Sequence, residues 1–494
     1  MTNHLLNNII TNCELRQSLS QLRQEIKQDS IKSELKKDIK NYIPEFIELL
    51  KHTDAKTRKN TALLMGDLGM YEFLPALFEG YKNESQRFVK SSYLIALQCF
   101  DCSIYLGELK EILNTLTMTP LNTENQKHIQ EEIRALSKLL VQEEGISNHT
   151  FTGFHYPLDC ILLTNKLHKE LLECEITDGE IIPFRAGVRV VTENLNTLLD
   201  LRTYSELLFV IPGLSTLSAD PIHAAKSIVL SNLLPMLRNI HQEKTPFYFR
   251  VELKSKLALD QKSRYAKSLS SELERLSSRS LINSTSNYEV ELRLIENKTG
   301  MFNILIKLFT IPDERFSYRT ESIAASIRPV NAAQLVALAA DYMIEDSRTL
   351  DPFCGVGTML IERQKVVKGN TSYGIDFYAP AIEKARINTE NAGQIIHYIN
   401  RNFFDFTHEY PFDEIFTNMP YSTGHKSEEE IEMLYKDFFP KAREVLTRSG
   451  TIIMYSRNPE LVRELSFYYK YNITKAIEIV PKENSWLFII QFIL

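Results

Sequence analysis

The eight residues Asp351-Pro-Phe-Cys-Gly-Val-Gly-Thr358 constrain this chain most, because they lie between a short apolar strand, RTL, and a helix, MLIERQKVV. A strand that enters a helix through a glycine-rich turn opens a βα unit. Gly355 and Gly357 let backbone amides approach a ligand closely, and the helix start offers N–H groups suited to a carboxylate or phosphate. The alternation continues: TSYGIDF reads as a strand, APAIEKARINTENAG as a helix and FDEIFTN as a strand. Such a run predicts a parallel sheet with crossover helices, a Rossmann-like α/β domain. At the end, YKYNITKAIEIV and SWLFIIQF are parted only by Pro-Lys-Glu-Asn. They read as a terminal pair that adds an antiparallel strand to the sheet.

Two further elements sit where such a sheet collects ligands. Asp376 ends the second strand, about twenty residues beyond the glycines, where a carboxylate can accept hydrogen bonds from both hydroxyls of a ribose. Capping the following helix is its competing and compatible role. Asn418-Met-Pro-Tyr421 ends the strand expected across the crevice from the glycine turn. Alone, it is a turn punctuated by proline. In that position, the Asn amide oxygen and a backbone carbonyl can both accept from one planar NH2 group. Its nitrogen is then drawn towards tetrahedral geometry and its lone pair can attack. Tyr421 can stack on the ring that bears the amine, as on a flipped-out base. No strong base is required, since the nitrogen can lose its proton after alkylation.

In that order, DPFCGVGT, GIDFYAPAIEKARINTENAG and TNMPY resemble the motifs of S-adenosylmethionine-dependent methyltransferases that modify exocyclic amines, whose last motif is typically Asn/Asp-Pro-Pro-Tyr. Upstream, LNTLLDLRTYSELLFVI, FYFRVEL and FSYRTESIAASIRPVNAAQLVALA resemble the THUMP-containing RNA methyltransferases. The resemblance covers about residues 150–494 and is most specific after Tyr318. It implies guanine-N2 methylation of tRNA or rRNA, with a THUMP-like region that binds the RNA. It also implies that Asp351, Pro352, Phe353, Gly355 and Gly357 line the methionine part of the cofactor, that Asp376 holds its ribose and that Asp405 lies near its adenine. Asn418, Pro420 and Tyr421 would form the target-base site. Met419 replaces the usual first proline; Pro fixes φ and Met does not, so a looser turn is expected.

Residues 1–149 read as all-helical. IPEFIELLKHTDAKTRKNTALLMGDLG from Ile43 aligns with LPALFEGYKNESQRFVKSSYLIALQCF from Leu74, and LGELKEILNTL from Leu106 begins a third copy. Each is a helix, a polar turn and a second helix, a unit that buries its apolar faces only by stacking on neighbours. The pattern resembles HEAT-type repeats, which usually dock a partner; a stabilising appendage is the plainer reading. The composition shifts after Gly145-Ile-Ser-Asn-His149. Strand-like segments then alternate with helical ones, PIHAAKSIVLSNLLPMLRNI and RYAKSLSSELERLSS among them. The expected organisation is therefore an all-α repeat domain at 1–149, an α+β THUMP-like region at 150–318 and a Rossmann-like α/β domain at 319–494.

With 57 Lys+Arg against 63 Asp+Glu, the whole chain shows no excess of positive charge for nucleic acid. The balance is uneven, however. Between Arg238 and Arg279, ten basic residues face five acidic ones, interleaved with Phe247, Tyr248, Phe249 and Tyr265. Within that strip Arg250, Lys254, Lys256, Arg264 and Lys267 are the candidate RNA contacts; a solvated surface is the competing reading. Cys99-Phe-Asp-Cys102 has metal-ligand spacing but no second pair, and Cys354 has no partner base, so no metal and no thiol nucleophile is expected. The six cysteines are scattered, the N-terminus lacks a basic segment followed by an apolar run, and no apolar stretch is long enough for a membrane span. These point to the cytoplasm. A non-catalytic RNA-binding scaffold and a methyltransferase acting on protein side-chain amides are the rival functions.

Overall fold

After helices Thr2–Ile10, Leu15–Glu25 and Asp29–Ile39, the N-terminal region continues as helix pairs that begin at Ile43, Leu74 and Leu106, where the three sequence copies begin. The 3-10 turns Lys40–Tyr42, Tyr71–Phe73 and Ser103–Tyr105 precede the pairs Ile43–Leu49/Ala55–Leu68, Leu74–Asn83/Arg87–Leu97 and Leu106–Met118/Gln126–Glu144. Pro44 and Pro75 stand in first turns, where a missing N–H costs nothing. Asp54 accepts from the Thr57 amide at 2.9 Å and so starts its helix. The facing sides supply a continuous core that includes Phe46, Phe73, Leu77, Phe78 and Leu97.

The computed structural model describes residues 2–118, 126–144, 148–422 and 427–492; residues 145–147, in the composition shift, and 423–426, in the loop after Tyr421, lie outside them. The chain groups into two compact units. One comprises residues 1–149, 218–230 and 244–289, the other residues 150–217, 231–243 and 290–494. In the first, strand Phe247–Lys254 pairs in parallel with Leu281–Asn283, and helix Leu259–Leu276 lies between them in sequence. The stretch PIHAAKSIVLSNLLPMLRNI forms two helices rather than one, Pro221–Leu230 and Leu233–Asn239. Ser231 and Asn232 interrupt it, as short polar residues that favour caps and turns over helix interiors.

The second unit holds two sheets. One is antiparallel, in the order Glu180–Phe184, Gly187–Thr192, Leu158–Leu163, Glu206–Phe209, Phe302–Leu308, Val290–Glu296. The other contains seven strands, labelled β1 (Arg348–Asp351), β2 (Thr371–Asp376), β3 (His397–Asn400), β4 (Phe412–Asn418), β5 (Leu446–Ser456), β6 (Tyr471–Val480) and β7 (Ser485–Phe492). Their order is β3-β2-β1-β4-β5-β7-β6. The first five run parallel, and β7 pairs antiparallel with both neighbours, as the terminal motif predicts. Helices α1 (Pro329–Ala339), α2 (Thr358–Val366), α3 (Ala379–Asn391), α4 (Glu428–Val445) and α5 (Pro459–Tyr468) complete the domain.

Helix α2 is fixed from two directions. On one side its Arg363, with no exposed surface, bonds Glu414 of β4 at 2.9 and 3.1 Å, Ser347 Oγ at 2.9 Å and the carbonyls of Ile344 and Val367. On the other, Glu362 accepts from Arg202 and from the Tyr318 hydroxyl at 2.6 Å, joining α2 to the antiparallel region. Removing one member of a buried, hydrogen-bonded ion pair strands the other. Arg363→Met should therefore destabilise this domain by about 3–5 kcal/mol. Urea unfolding read by the only tryptophan, Trp486 in β7, measures it; an unshifted midpoint would show that the pair is dispensable.

Candidate active site

In a doubly wound sheet the strand order reverses once, and ligands collect at the carboxyl ends beside that reversal. Here it lies between β1 and β4. Asp351 ends β1, Asp376 ends β2 and Asn418 ends β4, while Asp405 follows β3 in the 3-10 turn Phe403–Asp405. The topology thus gathers residues that are widely spaced in sequence along one edge of four adjacent strands. The Thr417 hydroxyl donates to Asp351 Oδ1 at 2.7 Å and so bridges the reversal.

The glycine turn is held by its neighbours. Cys354 N donates to Ile375 O at 2.9 Å, and Gly355 N donates to Asp376 Oδ2 at 3.0 Å, which ties the turn to the end of β2. Asp376 Oδ1 accepts from Tyr378 N at 2.9 Å, and Tyr378 is the N-cap residue of α3. Asp376 is therefore not the cap itself; an ionised carboxylate is an acceptor-only group, the chemistry that ribose hydroxyls require. Gly357 has φ +82°, and a β-carbon there would run into the Tyr398 hydroxyl. Both the handedness and the space require glycine. Pro352 is buried, and Phe353 packs edge-on against Phe403 with centroids 5.9 Å apart.

Asp351 is 1% exposed, and burial pushes its carboxyl up to about 7 despite the bonds from Thr417 and the Phe353 amide. Its Oδ2 is buried without a hydrogen-bond partner among the described residues. Burial, with Asp351 and Asp376 nearby, also drives the Cys354 thiol well above its ordinary range, which suits an inert side chain rather than a nucleophile.

At the end of β4, Met419 replaces the usual proline in a specific way. Its side chain is 1% exposed, and its N–H donates to Tyr455 O at 2.9 Å. A proline could not make this bond, which carries the β4–β5 pairing one residue past Asn418. The turn is thus pinned by a ladder bond and a buried side chain, where the sequence suggested a looser one. Asn418, Pro420 and Tyr421 are half-buried. The Arg457 guanidinium lies 4.0 Å from the Tyr421 ring centroid and is itself anchored to Glu483 at 2.6 Å.

Several residues that hold the site have no local sequence signal. Arg319 bonds Thr358 Oγ1 at 2.9 Å, Asn388 bonds Val356 O at 3.1 Å, and Tyr398 and Arg457 reach their partners across the fold. Thr417 alone could have been found, since it directly precedes Asn418. The candidate RNA contacts are in the other unit. Lys254 is paired with Glu252 at 2.7 Å, Arg264 with Asp260 at 2.5 Å, and Arg250 lies 4.1 Å over the Tyr288 ring. Lys256 and Lys267 are exposed, whereas Phe247, Phe249 and Tyr265 are core residues.

Residues 317–475 match the family described as UPF0020, RMKL-like, methyltransferase domain. Among solved structures, the chain is similar to TrmN from Thermus thermophilus at 20% identity and TM-score 0.52, over 68% of this chain and 100% of that one. It is likewise similar to SMU.472, solved as a complex with SAH, at 14% identity and TM-score 0.51, over 68% and 98% of the two chains. At these identities the likeness is one of fold. None of the curated proteins compared with the chain matches it.

The methyl donor is S-adenosylmethionine, and the residues present fit it. The unpartnered Asp351 Oδ2 suits a cationic amine, the open glycine turn admits a ligand against the backbone, and Asp376 suits a ribose. Because the folded-state pKa of Asp351 is raised, folding favours its protonated form, and this contribution to stability is lost as pH rises from about 4 to about 7. A cation beside it favours ionisation. Affinity for S-adenosylmethionine should therefore rise from pH 6 to pH 8, with proton release on binding below about pH 7. Calorimetry in buffers of different ionisation enthalpy measures this, and Asp351→Asn should flatten the profile.

Proposed function

We propose that this S-adenosylmethionine-dependent methyltransferase transfers its methyl group to the exocyclic amine of an RNA base, with guanine N2 in tRNA or rRNA as the substrate. The observation that carries this reading is the position of Asn418. It ends β4 next to Thr417, whose hydroxyl bonds Asp351, and this supports an acceptor amine held beside the cofactor. When bound, the cofactor supplies an electrophilic methyl group on a sulfonium.

The chain's own residues orient the acceptor. The Asn418 amide oxygen and a carbonyl of the Met419-Pro420 turn accept from the planar NH2, which directs its lone pair out of the ring plane. Tyr421, backed by Arg457, offers its opposite face to the base ring. Catalysis of this kind rests on positioning, and the nitrogen sheds its proton after transfer. The region 150–318 serves as a THUMP-like RNA-binding module and 1–149 as a HEAT-like array; this division rests on the resemblance of the sequence.

Asn418→Ala should lower methyl transfer to bulk tRNA by about 100-fold or more, as when an oriented hydrogen-bonding group is lost from a reacting centre. Affinity for S-adenosylmethionine should stay within twofold. Transfer from labelled cofactor and calorimetry read the two effects, and unchanged turnover would end this assignment. Mass spectrometry of the nucleosides tests the acceptor, since methyl on any atom but guanine N2 excludes the specific substrate.

A further inference from the structure

The first unit contains a cavity of about 1050 Å³ that the catalytic reading does not use. One wall is the last helix of the N-terminal array, Gln126–Glu144, and the other is formed by strand Phe247–Lys254, helix Leu259–Leu276 and the polar turn after Leu281–Asn283. Its volume is at or beyond the upper end of small-ligand pockets, roughly 300–1,000 Å³, and those are lined mainly by apolar groups. This one combines apolar surface with many hydrogen-bond donors.

Arg134 and Lys138 project from the array helix, one turn apart and exposed, and Lys267 and Arg275 come from the opposing helix. The acidic residues of the wall, Glu252 and Glu274, are matched by Lys254 at 2.7 Å and Arg279 at 3.6 Å, neither of which lines the cavity. Arg275 is bonded to Glu272. Ser284, Thr285, Ser286 and Asn287 add short polar side chains at one rim. Ile133 and Val141 of the array helix, with Val251 and the half-buried Tyr248 of the strand, add aliphatic and aromatic surface to the same lining.

A nucleotide has the same two-sided chemistry, an anionic, hydrogen-bond-accepting phosphate and a flat, largely apolar base. Cations and hydroxyls suit the first, and aromatic or aliphatic surface suits the second. A chain of acidic side chains would match the cations but brings no flat ring to the aliphatic and aromatic surface. We infer that this cavity is a cleft for the backbone of single-stranded RNA, with the array helix supplying one of its two cationic walls through Arg134 and Lys138.

The inference extends the RNA reading above and rests on it. It also assigns the N-terminal array a contact with the nucleic acid itself, and it moves two binding residues outside the strip from Arg238 to Arg279.

The test uses full-length protein and fluorescein-labelled bulk tRNA, with affinity followed by anisotropy from 50 to 300 mM NaCl. Loss of two phosphate contacts should reduce the slope of log affinity against log salt by about 1.4–1.8. Arg134→Ala/Lys138→Ala should show that change, with affinity at 150 mM down about tenfold and S-adenosylmethionine binding unaltered. If its slope matches the parent while Lys254→Ala/Lys256→Ala/Arg264→Ala loses slope, RNA binding stands and the cleft is overturned. If the parent chain does not bind the tRNA, both readings fall. Competition by polyglutamate as effective as that by unlabelled tRNA would overturn the nucleotide assignment in favour of an acidic peptide.

Discussion

A guanidinium and a carboxylate without solvent hold the two halves of the crevice together. Arg363 and Glu414 are both fully buried, and removing two charges from water is costly enough that their mutual attraction alone does not repay it. The arrangement stands because Arg363 also bonds two carbonyls and a serine hydroxyl. Such a network tolerates little displacement, since each donor lost leaves buried polarity unmatched. The glycine turn lies at one end of the helix bearing Arg363, and Asn418 ends the strand bearing Glu414. The glycine turn and the Asn418 turn are therefore set against each other by a contact that belongs to neither.

The edge of the sheet adds a second layer of constraint. Asp376 holds the glycine turn through Gly355 N, and Asp351 holds β4 through Thr417. The two carboxylates differ in environment: Asp376 is half-buried, whereas Asp351 is enclosed and shifted towards neutrality. One side chain thus suits a neutral, hydroxyl-bearing part of a ligand, and the other a part that brings positive charge with it.

Much of this was legible in the sequence, for reasons of range. Glycine turns, strand-terminal acids and the Asn-x-Pro-Tyr turn act through backbone conformations set within a few residues, so β1, β2 and β4 and their motif residues could be located, whereas the four-residue β3 carries too short a pattern and went unread. The closing antiparallel pair was equally visible, because only Pro-Lys-Glu-Asn separates two strand-like runs. What could not be read depends on contacts between distant segments: Arg319 on Thr358, Asn388 on Val356, Arg202 on Glu362. Charge patterning is a coarser guide. The strip from Arg238 to Arg279 looked like one surface with aromatics, but the fold turns Phe247 and Phe249 inward and seats Arg279 inside. Met419 shows the same limit in miniature, since a residue that seemed only to remove a proline is a hydrogen-bond donor and a core side chain.

Arg457 connects the Asn418–Tyr421 turn to the last two strands, for its guanidinium rests on Tyr421 and is ion-paired with Glu483, between β6 and β7. The terminal hairpin is therefore more than a hem on the sheet. Fraying there on warming would loosen the Tyr421 ring, while the edge built from β1 to β3, which carries Asp351 and Asp376, stayed intact. The turn at Asn418 would lose its definition before the glycine turn did, so the order in which the two ends of the crevice loosen is written into the strand order.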